Sequence, residues 1–322
     1  MSNTKIEWAQ KVWNPITGCA KVSEGCRHCY AERMSHRFGW PWKPTFHAER
    51  LEQPLHWRKP SRVFVCSMSD LFHEDIEFGI IGKIFDVMAT CTRHTFMIPT
   101  KRPDRMLRFA KFEKLSTGEG YINEGNVWLG VSVENQQTAD ERIPILLQIP
   151  AAKRFVSYEP ALGPVDWTPY LRIAWQCYGC KKYFPDPWKN ICPKCGKEGY
   201  WCGSHKFNPP NGQRGSGIGW LICGGESGPN ARPMHPDWAR SARDQCQAAG
   251  VPFFFKQHGE FVEIDDAIHR LGYNPYASDS KKTWISRHSM PLVRVGKKAA
   301  GRLLDGREWN EFPEDKPFEV AR

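Results

Sequence analysis

The 322 residues contain no apolar run approaching the about 18 that a membrane helix needs, which excludes a helical span and a membrane partner. No apolar stretch follows Met1, Ser2, Asn3, Thr4 and Lys5, so no secretory signal is expected and the chain reads as cytoplasmic. A GxxxxGK[ST] phosphate loop is also missing. Hydrophobic residues make up 40% of the chain and aromatic residues 13%, enough for a core, which excludes a wholly disordered chain. The balance of 45 Lys and Arg against 35 Asp and Glu gives a net charge of +10, compatible with nucleic acid. Twelve cysteines in a reducing compartment read as metal ligands rather than disulfides.

Short apolar runs recur at Val63–Cys66, Thr95–Ile98, Val127–Val133, Arg154–Ser157, Trp220–Cys223 and Val251–Phe255. Their starts lie 32, 32, 27, 66 and 31 residues apart. A period near 30 is about one strand–helix unit of a parallel α/β fold. An earlier strand is expected around Trp13–Ile16. Ile76, Ile80, Ile81, Ile84, Phe85 and Met88 share one helical face, and a second helix spans Asp237–Ala249, with Gly250 as its stop. Strands apolar on both faces suit a barrel or a doubly wound sheet, and either places chemistry at the carboxyl ends of the strands. Those ends carry polar groups here: Ser69 and Asp70, Lys101 and Arg102, Ser132 and Glu134, Glu159, Gly224-Gly225-Glu226, and Lys256 with His258.

The cysteines form two clusters. Cys19, Cys26 and Cys29 fall within eleven residues, three thiols where a closed zinc site usually has four ligands. A 4Fe–4S cluster on three thiolates, with one iron open, fits this number. Structural zinc completed by His28 or a remote cysteine, and simply buried free thiols, are the other readings. Cys177, Cys180, Cys192 and Cys195 form two CxxC knuckles, the spacing of a tetrahedral Zn2+ ribbon. They interrupt the 66-residue interval and so read as an insertion. Near the C-terminus, Arg294–Arg302 with Arg307 and Trp309 offers either a phosphate clamp with a stacking ring or a solvated basic face.

The segment from Gly18-Cys19 through Gly25-Cys26-Arg27-His28-Cys29-Tyr30 resembles the cluster loop of radical S-adenosyl-L-methionine enzymes, with a first gap of six residues in place of their three. Across nearly the whole chain the sequence resembles a phage-associated family of unknown function with this three-cysteine motif. The resemblance rests on Trp13-Asn14-Pro15, the run Ser67–Phe72, Thr100–Pro103, Gly130–Asn135, Tyr158-Glu159-Pro160, Gly224–Gly228 and Phe254–Gln257. The order of strand ends is loosely similar to spore photoproduct lyase and its relatives, radical enzymes that act on DNA. These resemblances imply a partial (β/α) TIM-like barrel. They also imply a 4Fe–4S cluster on Cys19, Cys26 and Cys29, S-adenosyl-L-methionine on its open iron, and a 5′-deoxyadenosyl radical. Ser69, Asp70, Lys101, Arg102, Ser132, Gly224 and Gly225 would then bind the cofactor, and Asp70, Glu134, Glu159 and Glu226 would be catalytic.

The expected organisation is a barrel part over 1–165, a zinc-ribbon insertion over 166–218, a second barrel part over 219–260 and a basic extension over 261–322. The leading expectation is a radical-type enzyme repairing or modifying nucleic acid, with DNA ahead of RNA and room for a partner protein. Two rivals are a zinc-bearing barrel that exchanges nucleobases like tRNA-guanine transglycosylase, with Asp70 as nucleophile, and a non-enzymatic zinc protein that binds nucleic acid.

Overall fold

The computed structural model describes residues 4, 6–117, 125–171, 175–177, 183–184, 199–201, 217–274, 283–285 and 291–313. Seven strands form one parallel sheet: β1 (Lys11–Trp13), β2 (Arg62–Val65), β3 (Thr95–Thr100), β4 (Val127–Val133), β5 (Lys153–Tyr158), β6 (Trp220–Gly224) and β7 (Phe253–Gln257). They lie side by side in chain order. An order without reversal has no switch point, so the sheet winds one way and curls into a half-barrel rather than a doubly wound sheet. These are the seven strands read from the sequence, with two displacements. The first sits two residues early, and the last starts after Pro252, which has no N–H for a ladder bond.

Helices fill five of the six crossovers, all but that from β5 to β6 among the described residues: α1 (Tyr30–Arg37), α2 (Phe78–Thr90), α3 (Pro103–Thr117), α4 (Gln136–Leu146) and α5 (Pro236–Ala249). Ile76 precedes α2 instead of joining it. Gly250 ends α5 in the left-handed conformation, at φ 64°. Asn135 caps α4 by accepting from the Thr138 backbone N–H, while the Thr138 hydroxyl accepts from the N–H groups of Asn135 and Glu134. That reciprocal cap fixes Glu134 at the carboxyl end of β4.

The strands are apolar on both faces because both are covered. Val63, Phe96, Leu129 and Val131 pack outward among Ile84, Phe109 and Ile143 of the helices. The inward face carries Met97, Trp128, Phe155, Ile222 and Phe254, joined by Trp8. Trp220 centres this floor, with the rings of Phe155 and Phe312 at 5.8 and 5.2 Å. Further along the same face, alternation replaces the large rings by Gly130 and Ser132 on β4, Ser157 on β5, Gly224 on β6 and Lys256 on β7. The concave surface therefore changes from aromatic to small and polar towards the carboxyl ends.

Among the described residues three smaller antiparallel sheets accompany the barrel. One pairs Ile16–Thr17 with Thr45–Phe46, one orders Gly199–Trp201, Trp175–Cys177 and Tyr183–Phe184, and one orders Phe261–Glu263, Pro291–Arg294 and Thr283–Ile285. Of the expected zinc ligands, Cys177 ends a strand, and Cys180, Cys192 and Cys195 lie outside the described residues. No described helix is long and apolar enough to cross a membrane.

Candidate functional site

The loop carrying Cys19, Cys26 and Cys29 runs from the end of β1 to the start of α1, over the carboxyl ends of the other strands. Gly18 starts it with φ 83°, and its N–H donates to Met68 O at 3.0 Å. All three thiols are free and half-buried. Three carboxylates from three different strand ends hold the loop in place.

The first acts through an arginine. Arg102 donates from Nη1 to Cys19 Sγ at 3.5 Å and from Nη2 to Ala20 O at 2.9 Å. Asp70 holds this guanidinium, its Oδ2 accepting from Arg102 Nη1 at 3.3 Å and from the Lys101 N–H at 3.0 Å. Asp70 Oδ1 accepts from the Phe72 N–H at 3.0 Å and the Thr100 hydroxyl at 2.7 Å. An ionised carboxylate has about four acceptor sites, and all of them are in use. Asp70 is therefore an anchor, and the base-exchange reading, which needs a free carboxylate there, finds no support.

Glu134 is the second. It is 1% exposed and accepts from the Ser23 hydroxyl at 2.9 Å and from Arg142 Nη1 at 3.0 Å. Arg142 also donates to Ser132 O at 2.7 Å, and Lys101 Nζ stands 3.8 Å from the Glu134 carboxylate. The third is Glu226. Its Oε2 accepts from His28 Nδ1 at 3.1 Å and from the backbone N–H and Nε of Arg232 at 2.8 and 2.9 Å. Arg232 reaches on to Glu24 O at 2.9 Å. Gly225 lets this turn close, since a β-carbon there would stand 2.2 Å from His258 O.

The electrostatics follow from this packing. Burial pushes the Cys19 thiol up and the nearby Asp70 charge adds to it, while Arg102 opposes both. Burial would also raise Glu226, but its hydrogen bonds from Arg232 and His28 prevail and hold the carboxyl below the usual range.

Asp70, Lys101, Arg102, Glu134 and Glu226 thus meet at the cysteine loop. Ser69 bridges Gly18 at the start of the loop through its backbone, but its hydroxyl donates back to Ile16 O at 2.9 Å. Glu159 pairs instead with Lys256 Nζ at 2.7 Å, across the end of β6 beside Gly224. Ser132 and Ser157 are 8% and 7% exposed, and their hydroxyls make no hydrogen bond among the described residues. Sequence reasoning missed Ser23, Arg142, Ser157 and Arg232. Arg142 left a signal, a charge on the otherwise apolar face of Ala139, Ile143 and Leu146. Of the two readings of the C-terminal basic stretch, the one with a free stacking ring does not hold for Trp309, which is 9% exposed, donates to Leu304 O and is covered by Arg307 at 3.5 Å.

Among the described residues, no three His, Cys, Asp or Glu side chains converge closely enough to ligate one metal ion. Three free thiols in one short loop are a donor set that could hold three irons of a cluster.

A family model described as a protein of unknown function (DUF5131) matches residues 3–313. Among curated proteins none matches. Solved structures of spore photoproduct lyase are similar at low level. One, complexed with a dinucleoside spore photoproduct, is 10% identical and has a TM-score of 0.41, covering 92% of this chain and 71% of that one. Another, a mutant with bound AdoMet and the dinucleoside spore photoproduct, is 10% identical with a TM-score of 0.40, covering 91% and 70%. Overlap this loose bears on neither activity nor substrate.

Proposed function

The chain belongs to the DUF5131 family, and we propose that it is an iron–sulfur enzyme of the radical S-adenosyl-L-methionine type that repairs or modifies nucleic acid, DNA ahead of RNA. One observation carries this reading. A loop with three free, half-buried thiols is tied over the carboxyl-end mouth of a singly wound half-barrel, where the concave face turns small and polar. A 4Fe–4S cluster on Cys19, Cys26 and Cys29, together with S-adenosyl-L-methionine, would supply the one-electron chemistry that makes a substrate radical.

The chain's own residues bind and orient. Arg102 keeps a positive charge at Cys19 Sγ, and Asp70 keeps Arg102 there. Since burial favours the protonated Cys19 thiol, loading the loop must displace that proton. Glu134 and Glu226 fix the middle and the end of the loop. The aromatic floor around Trp220 closes the barrel below and keeps water from that side. Ser132 and Ser157 turn unused hydroxyls to the concave face, and the Lys256–Glu159 pair lines its far side, so these four groups can orient a polar ligand. The net charge of +10 supports a polyanionic substrate.

The test is anaerobic purification with iron and sulfide determination and an optical spectrum, followed by cleavage of S-adenosyl-L-methionine under reductant. About four irons per chain are expected. Broad visible absorbance should be lost in the triple Cys19→Ala, Cys26→Ala, Cys29→Ala variant and kept in Cys246→Ala, a buried thiol of α5. Zinc in place of iron after anaerobic reconstitution would overturn the reading.

A further inference from the structure

Helix α1 leaves the cysteine loop with large rings turned to solvent. Tyr30, Met34 and Phe38, four residues apart, are 45%, 41% and 53% exposed, and Trp40 in the turn behind them is 54% exposed. Phe38 and Trp40 stack with centroids 5.0 Å apart and planes 27° from parallel. The helix is tied to both sides of the mouth. The Tyr30 hydroxyl donates to Ser67 O beyond β2, and Arg33 donates to Ser227 O beyond β6 at 3.2 Å. Its outer face therefore forms part of the rim.

Charge identifies what covers this face. The Arg37 guanidinium lies 5.9 Å from the Phe38 ring centre, and neither Arg37 nor Lys43 has a carboxylate partner among the described residues. The acidic residue on the helix, Glu32, is taken by Lys21 at 3.0 Å. The uncompensated charge beside the rings is positive. A second copy of a chain with a net charge of +10 would meet like charge there, whereas a polyanion with flat rings satisfies both features.

We propose that the outer face of α1 and the turn to Lys43 form a stacking platform for single-stranded nucleic acid, with Phe38 and Trp40 holding bases and Arg37 and Lys43 holding phosphates. This rests on the reading of the substrate as nucleic acid and adds where and in what form it is held. The strand so placed runs past the cysteine loop, because Tyr30 follows Cys29 directly.

Fluorescence anisotropy with the full chain tests it, using fluorescein-labelled oligo-dT and oligo-rU of about 20 nucleotides and a duplex of the same length. Single strands should bind more tightly than duplex, and the dT and rU arms distinguish DNA from RNA. Replacing both rings, Phe38→Ala with Trp40→Ala, should weaken single-strand binding at least about tenfold. Arg37→Gln with Lys43→Gln should flatten the salt dependence. Leu115→Ala, at a side chain 88% exposed on α3, should change neither. Unchanged circular dichroism confirms folding of each variant. No oligonucleotide binding, affinity indifferent to loss of both rings, or concentration-dependent dimerisation abolished by the ring variants would each overturn the proposal. Iron content measured on the same preparations keeps it separate from the cluster reading, which can fail while the platform still binds.

Discussion

Gly25 of the cysteine loop lies directly on the carboxylate of Glu134, so close that a β-carbon there would stand 2.3 Å from Oε1. The carboxylate cannot retreat, because Arg142 and Ser23 hold it from other sides. Gly25→Ala must therefore lift the loop between Cys19 and Cys26. We expect a loss of about 1–3 kcal/mol in stability, as for other overpacked sites. Iron retained per chain should fall well below the wild-type level. A folded Gly25→Ala protein with full iron content would show that the loop is not positioned by this contact.

Removing the carboxylate itself is costlier. Glu134→Ala leaves Arg142, 6% exposed, as an unpaired buried cation, at a cost of about 3–5 kcal/mol. Adding Arg142→Met to that variant should recover part of the loss, since it removes the charge left alone. Urea unfolding of the two single variants and the double variant measures this, and additive losses would mean the two residues do not act as a pair.

The barrel was legible because its strands are buried on both faces, which leaves runs such as Val127–Val133 without a polar residue until Ser132. The strand-end position of Asp70, Glu134 and Glu226 was legible too, since each breaks such a run. What each carboxylate does was not. Arg232 bridges Glu226 to Glu24, and Ser23 meets Glu134 from 111 residues away, so nothing local in the sequence announces these partners. Trp309 misled for the converse reason: a ring next to arginines reads as a ligand platform, but here Arg307 covers it.

Acid should loosen the turn after β6. Glu226 has its carboxyl held low by Arg232 and His28 against the effect of burial, so its folded value lies below its unfolded one. The stabilisation from ionised Glu226 is then complete above the unfolded value, about pH 4.3, and is lost as pH falls through the lower folded value. Wild type should exceed Glu226→Gln in unfolding free energy at pH 7, and the gap should narrow as the pH is lowered past the unfolded value. A gap that stays constant on acidification would separate Glu226 from this linkage.

Asp70→Asn separates an anchor from a nucleophile. The carboxylate receives four donors, from Phe72, Thr100, Lys101 and Arg102. An amide keeps one acceptor oxygen and sets its own N–H groups against two of those donors. As a buried site with broken hydrogen bonds, it should lose about 1–3 kcal/mol for each donor left unsatisfied. Arg102, no longer held, should also release Cys19 and Ala20, so that iron content falls together with stability. A nucleophile in a base-exchange enzyme would behave differently, since its removal stops the reaction and leaves the cysteine loop as it was. Unfolding curves and iron content of the one variant therefore suffice, and wild-type values of both would return Asp70 to the list of reactive carboxylates.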